Sequence, residues 1–288
     1  MVKLEKISDH IVIDTETQSM SRSSIIGGIS LGKYSIAIES GSTLEIGMDL
    51  KLKLRDFFNL PVKYLFLTHT HNDHRGGMDA FSDETLIMSE KCKENMPKRI
   101  RLSKFSLEAF EEKHIIQENE LSMEFLKVAG HSIGSSVAYF PSEKVLFAGD
   151  LFITEPINFG LPFMSFYQNK PKRTGNPEEY FAAFELFKSM DIDVIVPGHG
   201  QIINNPQEYL DKQTAFFNGL KTHFVAEIKR GNNLEEIEMP SMELIVHAYK
   251  ITESRKPKSK HVRFLDHYLE VLKTSFYNYY SGIFHNLD

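Results

Sequence analysis

The sequence predicts an α/β fold in which helices cover β-sheets, followed by a C-terminal helical extension. Two observations support this prediction. Short strand-like segments alternate with helical apolar stripes up to about residue 205. Beyond that point, the pattern becomes that of long amphipathic helices, without further strand signals. We therefore expect one α/β domain over residues 1–205 and a helical extension over residues 206–288 that packs on the same domain.

The first part of the chain reads as strands and turns. Three short segments are rich in isoleucine and interrupted by glycine and serine, namely HIVID, SSIIGGISLG and YSIAIES. The intervening LGK predicts a hairpin turn. The near-helical spacing of four apolar residues then predicts a helix over GMDLKLKLRDFF; they are Met48, Leu52, Leu54 and Phe58. VKYLFLT at 62–68 is predicted to be a buried strand.

The middle of the chain continues the alternation. GGMDAF predicts a helix and TLIMSE a strand, and residues 91–114 are predicted to be helical. This last segment is basic, which favours a solvated helical face over an anion-binding patch; its cations are Lys91, Lys93, Lys98, Arg99, Arg101 and Lys104. Three further strands are predicted over ELSMEFLKVAG, SSVAYFP and KVLFAGD.

The remaining elements carry recognisable helix ends. NPEEYFAAFELFKSM has an asparagine cap at Asn176 and a proline in its first turn, and DIDVIVPGHG is the last predicted strand. Two helices follow, one ending near Gly231 and one over HVRFLDHYLEVLKTSFYNYY. The basic stretch ESRKPKSKH before the second helix is predicted to be an exposed linker.

Composition limits the class of protein. The net charge of −6 and the pI of about 6.1 disfavour a nucleic-acid partner. The single cysteine, Cys92, excludes an intramolecular disulfide and agrees with a reducing compartment. The N-terminus lacks the apolar core of a signal peptide, and there is no uncharged apolar run of about 18 residues. We therefore expect a cytoplasmic protein without a membrane association.

The most informative stretch is THTHNDHRGG, which follows a predicted strand directly. It holds His69, His71, Asp73 and His74, although histidine makes up only 12 of 288 residues. Alternation places residues 69 and 71 on one side of an extended chain, and the next two ligands enter the following turn. Imidazole and carboxylate groups are usual ligands for zinc and similar divalent ions, so this cluster predicts a metal site.

Three later residues strengthen the prediction of a metal site. His131 in AGHSIGS, Asp150 in FAGD and His199 in PGHG each stand in a glycine-containing turn after a predicted strand. A single such residue could equally cap its own turn. All of them together with the cluster favour a shared site, and five histidines with two aspartates are more than one tetrahedral zinc ion requires.

These motifs resemble, in the same order, those of the metallo-β-lactamase fold superfamily, including its glyoxalase II-like hydrolases. The resemblance covers residues 8 to about 205 and implies an αβ/βα four-layer sandwich. It assigns His69, His71 and His131 to a first metal ion, and Asp73, His74 and His199 to a second. Asp150 would bridge the two ions.

The resemblance implies a binuclear metal-dependent hydrolase that cleaves a small ester, thioester or lactone. Zinc is the expected ion, with iron or manganese as alternatives, and Asp73 is expected to act also in catalysis. One alternative is a mononuclear iron enzyme similar to persulfide dioxygenases, which needs only His69, His131 and Asp150. A phosphodiesterase of the same fold and a catalytically silent binding protein are the others.

The substrate is expected to be a small molecule contacted by the segment 151–175. Phe163 and Tyr167 would form an apolar wall, and Lys172 and Arg173 would meet an anionic group. The alternative is that these aromatic residues pack the loop and the cations are solvated. The aromatic C-terminal helices would pack on the sandwich, line the pocket or form a homodimer contact.

Overall fold

The structure is a computed structural model that describes residues 1–14, 24–154, 175–243, 245–246 and 260–283. It divides into two compact units. The first comprises Met1–Val128, Gly134–Glu155 and Asp191–Asn204, and the second comprises Ala129–Ile133, Pro156–Met190 and Asn205–Asp288. The two sheets and their helices confirm the predicted α/β class. The division of the chain at residue 205 stays a prediction.

The first unit contains a seven-stranded sheet whose strands lie side by side in chain order. The first four strands pair antiparallel, whereas the fourth to seventh are parallel, with Leu65 opposite Leu86 in the central pair. The carboxyl ends of the parallel strands therefore meet at one edge of the sheet. The strands are β1 (Leu4–Lys6), β2 (Ile11–Asp14), β3 (Gly27–Ser30), β4 (Ser35–Ile38), β5 (Val62–Phe66), β6 (Thr85–Ser89) and β7 (Ser106–Phe110).

A five-stranded sheet completes the β-structure of the first unit, in the order β12-β11-β10-β9-β8. Three of its four pairings are antiparallel, and the pairing of β11 with β12 is parallel. Register shifts interrupt that parallel pair after Phe147 and after Gly149, where the strand passes the candidate site. The strands are β8 (Lys113–Glu118), β9 (Leu121–Lys127), β10 (Ser136–Phe140), β11 (Val145–Ile153) and β12 (Val194–His199).

The main hydrophobic core of the first unit lies between the two sheets. Alternate residues of β2 and β4 point into it and meet aromatic side chains from the second sheet, among them Phe125, Phe140 and Phe147. Phe66 and Phe125 stand with ring centroids 4.7 Å apart across this interface. This packing holds the carboxyl ends of β5 and β11 together.

Helix α1 (Leu44–Phe58) covers the other face of the seven-stranded sheet. Thr43 caps it by accepting a hydrogen bond from the Ile46 amide, and Leu50 and Leu54 are buried against a second apolar cluster that includes Leu65. The first unit also contains the short helices α2 (Asn72–Arg75) and α3 (Glu90–Asn95), and the 3-10 turns Met78–Phe81, Leu102–Lys104 and Pro141–Glu143.

The second unit contains the helices α4 (Pro177–Ser189), α5 (Pro206–Lys229) and α6 (Lys260–Tyr280). The predicted cap at Asn176 is confirmed as a full capping box with Glu179. Phe217 of α5 and Phe276 of α6 pack with ring centroids 5.5 Å apart. None of the helices in the described ranges combines the length and the apolar character that a membrane-spanning helix needs. The predicted linker ESRKPKSKH lies almost wholly outside the described residues.

The prediction of a helix over residues 91–114 is wrong. Within this range α3 is the only α-helix. The chain then forms a 3-10 turn, the strand β7 and the start of β8. The many charged residues of this segment obscure the alternating pattern of the strand SLEAF. This strand forms because it pairs with β6, and that pairing is not visible in the local sequence.

Candidate metal centre

The histidine cluster follows β5 at the sheet edge where the parallel strands end. The chain leaves β5 after Phe66 and turns into α2, so that His71 stands directly before the helix and His74 inside it. Ser40, which follows β4, donates from both its amide and its hydroxyl to the carbonyl of His74, at 2.7 and 2.9 Å. The neighbouring strand therefore fixes the backbone of the cluster.

The first unit brings six of the seven predicted ligand residues together. The ring centroids of His69 and His71 are 4.5 Å apart, and those of His69 and His74 are 4.1 Å apart. Asp73, His74 and His199 offer ligand atoms within 4.8 Å of one another, as do His69, His71 and Asp150. Residues far apart in the sequence thus form two adjoining groups of metal-ligating atoms.

Asp150 lies where the two groups meet. Its Oδ2 atom is 3.8 Å from His69 Nε2, and its Oδ1 atom is 3.0 Å from His74 Nε2 and 3.4 Å from His199 Nε2. Each carboxylate oxygen therefore faces a different group of histidines. The side chain is about 7% exposed, so the charge is held in a largely water-free position.

Two glycines allow this close approach. A Cβ atom at Gly198 would stand 2.0 Å from Asp150 Oδ1, and one at Gly149 would stand 2.7 Å from the Thr68 hydroxyl. Gly149 also has a positive φ of 52°. The glycines of FAGD and PGHG are thus needed to bring the carboxylate beside the histidines.

His131 belongs to the five-residue segment Ala129–Ile133 of the second unit. It is fully buried, in the bend between β9 and β10. Within its unit, the backbone at Gly175 comes so close to this segment that a Cβ there would meet the Gly130 carbonyl at 1.8 Å. The assignment of His131 to the first metal ion stays a prediction.

Glu39 is a buried acidic residue that the sequence analysis missed. It follows β4, is 2% exposed and has a positive φ of 59°. Its Oε1 atom accepts a hydrogen bond from the Thr68 hydroxyl and lies 3.0 Å from His74 Nδ1. The Thr68 oxygen in turn lies 2.9 Å from His69 Nδ1. Glu39 therefore orients two histidines so that the Nε2 atom of each faces Asp150.

The charges at the site act on one another strongly. Burial lowers the pKa of His74, but the carboxylates of Asp150, Glu39 and Asp73 outweigh burial and raise it well above its usual value. For the acid Asp73, burial acts in the opposite direction and raises the pKa. The attraction of His74 and His199 outweighs burial and lowers the pKa of Asp73 to about 2. Burial lowers the pKa of His71, which favours the neutral imidazole that binds metal.

The donor set fits divalent metal ions. The Nε2 atom of His74 is buried and makes no hydrogen bond to the described residues, although Asp150 Oδ1 is only 3.0 Å away. Such an atom is costly to bury unless it has a ligand. Its Nδ1 is occupied by Glu39, so Nε2 is the nitrogen left for a metal ion. Imidazole with carboxylate is a set that zinc, iron and manganese accept.

The predicted substrate-binding residues and the serines near His131 are not part of the two ligand groups. The substrate-contacting residues Phe163, Tyr167, Lys172 and Arg173 fall outside the described residues. Ser132, Ser135 and Ser136 are buried beside the bend, and the Ser136 hydroxyl donates to the Thr68 carbonyl. The side chain of Asp73 is 40% exposed, whereas those of His199 and Asp150 are 8% and 7% exposed.

Comparison with known proteins places this arrangement in a family. Residues 23–199 match the family model described as the metallo-beta-lactamase superfamily. A relative from Caenorhabditis elegans, a beta-lactamase-like protein 2 homolog, is 23% identical over 158 residues, which are 54% of this chain and 48% of the relative. The chain spans about half the length of the curated relatives it matches.

Two solved structures show the same fold. A metallo-beta-lactamase from Pontibacter korlensis has a TM-score of 0.57 and 20% identity, covering 76% of this chain and 99% of that one. A double mutant of the sec-alkyl sulfatase PisA1 has a TM-score of 0.68 and 14% identity, covering 100% of this chain and 52% of that one. The second match extends over the C-terminal helices as well.

Proposed function

The chain belongs to the metallo-beta-lactamase superfamily, and from this premise we propose that it is a metal-dependent hydrolase of small molecules. It holds two divalent ions, zinc being the expected pair, and cleaves an ester, thioester or lactone. The observation that carries the proposal is the position of Asp150, whose two oxygens face different groups of histidines. A carboxylate between two ligand groups suits a site for two ions.

In this proposal, the first ion is held by His69, His71 and Asp150, with His131 completing the set as the family motif implies. The second is held by Asp73, His74, His199 and Asp150. Two such ions would supply a hydroxide at neutral pH and would polarise the carbonyl oxygen of the substrate.

Residues around the candidate site would orient the metal ligands and the attacking water. Glu39 holds the Nδ1 side of His74 directly and that of His69 through Thr68, so both rings are fixed before the substrate arrives. Asp73 is 40% exposed at its side chain and lies 3.1 Å from His199 Nε2. We assign to this accessible carboxylate the further role of orienting the attacking water.

The test combines metal content with turnover. The protein is purified without added metal, and zinc, iron and manganese per chain are measured by inductively coupled plasma mass spectrometry. About two zinc ions per chain, with hydrolysis in a panel of 4-nitrophenyl esters, thioesters and lactones, is the expected result. About one iron per chain with oxygen consumption on a persulfide would overturn it in favour of the mononuclear oxygenase.

Variants assign the two ions. His71→Ala removes a ligand from the first group only and His199→Ala from the second only, so each is expected to lower the metal content by about one ion and to abolish turnover. His10→Ala is the matched control, because His10 pairs with Glu143 and belongs to neither ligand group. Retention of two ions by both ligand variants would contradict the assignment.

A further inference from the structure

Helix α1 carries an apolar stripe on its solvent side. The opposite side packs on the seven-stranded sheet through Leu50 and Leu54, which are fully buried. Leu44, Met48 and Leu52 follow one another at intervals of four residues and are 43%, 51% and 55% exposed. Residues four apart are neighbours on the surface of a helix, so these three side chains form one continuous stripe.

Exposed apolar side chains are concentrated on this helix. Nine large hydrophobic residues in the described ranges are exposed, and four of the nine belong to α1, because Phe57 near its end is 46% exposed as well. Single apolar residues are ordinary on a protein surface. A continuous stripe on one helix is instead typical of a surface that another molecule covers.

Charges of opposite sign flank the stripe. Successive residues of an α-helix are rotated by about 100° around its axis. Glu45 and Asp56 therefore lie on one side of a line that runs along the axis between Met48 and Leu52, and Arg55 lies on the other side. The three charged residues are exposed, and they form no ion pair within the part of the chain that the structure describes.

Other charged residues of α1 have partners in the same chain. Lys51 lies 2.7 Å from Glu84, and Lys53 lies 3.5 Å from Asp49. Arg55 and Asp56 are consecutive residues, and consecutive side chains of a helix do not face each other. The stripe thus has an acidic side and a basic side whose charges are not compensated by the described residues.

We propose that α1 is a homodimer interface, in which the stripe of a second copy of this chain packs on the stripe of the first. The same surface serves both copies, as two-fold symmetry requires. Each stripe covers the other, and the removal of apolar surface from water drives the association. The surface is self-complementary because it carries both signs of charge beside its apolar centre.

The distribution of charge favours parallel helices. A two-fold axis that runs along the helices places the acidic side of one stripe against the basic side of the other. Arg55 of each copy then meets the partner's Asp56. In an antiparallel pair, the two-fold axis would bring the acidic sides together, with Glu45 beside the partner's Asp56. Two negative charges in such a position repel each other.

The dimer is expected to be weak, because a single helix forms a small interface. The 15 residues of α1 extend over about 22 Å. A contact along this length buries less than the about 800 Å² per partner of a standard interface. We expect a dissociation constant of about 10–100 μM, so the chain is a monomer at low micromolar concentration.

The test is sedimentation of the full chain in the analytical ultracentrifuge over about 1–300 μM, a range that brackets the expected dissociation constant. The mean mass is expected to rise from 33.1 kDa towards twice this value. Leu52→Glu places a charge within the stripe and should weaken association at least about 10-fold. Leu186→Glu on α4 is the matched control, because Leu186 is 38% exposed outside the stripe, and it should associate like the wild type.

A charge exchange tests the parallel arrangement. Arg55→Asp and Asp56→Arg each place like charges opposite each other, and each should weaken association by about 3–10-fold. The double variant Arg55→Asp, Asp56→Arg should return to within about twofold of the wild type, since both pairs across the interface are restored with exchanged signs. Such a recovery requires contact between two copies, because the residues do not face each other within one helix.

Three outcomes would overturn the proposal. A chain that stays monomeric over the whole range would overturn it in favour of a partner of another kind. A dimer that Leu52→Glu leaves intact would mean that the copies meet through a different surface. A double variant as weak as the single variants would exclude parallel helices. Circular dichroism establishes that each variant is folded, and all the substituted side chains are exposed.

Discussion

Glu39 shows how a single residue outside the metal motifs can determine the site. Its carboxylate receives the Thr68 hydroxyl and faces His74 Nδ1, so it links one histidine from each ligand group. The residue also adopts a positive φ, which is uncommon for a glutamate and persists only where the surroundings hold it. The orientation of both rings therefore depends on one buried carboxylate.

Replacing Glu39 by Gln is expected to weaken zinc binding by about 10–100-fold, because the histidines lose the anionic partner that fixes their orientation and raises their basicity. Zinc affinity is measured by competition with a chromophoric chelator. Glu45→Gln, an exposed change at the start of α1, is the control and should bind zinc like the wild type. Equal affinities in all three proteins would contradict the role given to Glu39.

Cys92 is expected to be chemically inert in the folded protein. It is fully buried, and burial raises the pKa of its thiol well above the usual value, so the reactive thiolate is scarce. Ellman's reagent should leave the native protein unmodified and should titrate one thiol per chain after denaturation. Rapid modification of the native protein would mean that the region of α3 opens readily.

Among the secondary-structure elements, α1 is placed by an unusually close contact with the loop after the histidines. A Cβ atom at Gly47 would stand 2.3 Å from the carbonyl oxygen of Gly77, a backbone atom that cannot rotate away. The helix axis can approach the GG pair of HRGG only because this position lacks a side chain. The backbone of the loop at Gly77 is thus supported by α1.

Gly47→Ala is therefore expected to destabilise the protein, although alanine favours a helix by about 1 kcal/mol. Overpacking of this kind costs about 1–3 kcal/mol, so a net loss of up to about 2 kcal/mol is expected. Denaturant unfolding gives the free energy. Met48→Ala on the same helix, where the side chain is 51% exposed, should change it by less than about 0.5 kcal/mol. If Gly47→Ala stabilised the protein, the backbone at Gly77 would have to move away from the new methyl group at little cost in free energy.

The elements differ in how well the sequence predicts them. Strands with an apolar face and helices with caps, such as β5 and α4, were predicted because the signal is local. Residues 106–118 were not, because Lys, Glu and Gln dominate there and the strands exist through pairing with β6 and β9. Glu39 was missed for a related reason. Only the pairing of β4 with β5 brings it beside Thr68, and no spacing in AIESGS indicates that.

For the whole molecule, the grouping of six candidate ligand residues was predictable because they lie at or beside strand-like segments, Asp150 and His199 next to glycine, and because the family motifs fix their order. The sequence does not encode distances directly. These arise when the two sheets pack, which brings β5 with its histidines against β11 and β12 with Asp150 and His199. The candidate metal centre is therefore a product of tertiary packing, and we expect metal binding to be coupled to the stability of the fold.

Zinc is accordingly expected to raise the melting temperature in a concentration-dependent way. A ligand that binds only the native state stabilises it by about 2.7 kcal/mol at 100 times its Kd. Calorimetry of chelator-treated protein at increasing zinc concentrations measures the effect. The double variant His71→Ala, His199→Ala should lose it, because each group loses a ligand. His223→Gln should retain it, because this partly buried histidine belongs to neither ligand group and, among the described residues, contacts the Glu238 carbonyl and the Phe224 ring. A melting temperature independent of zinc in the wild type would mean that these buried histidines and carboxylates stabilise the fold without a metal ion.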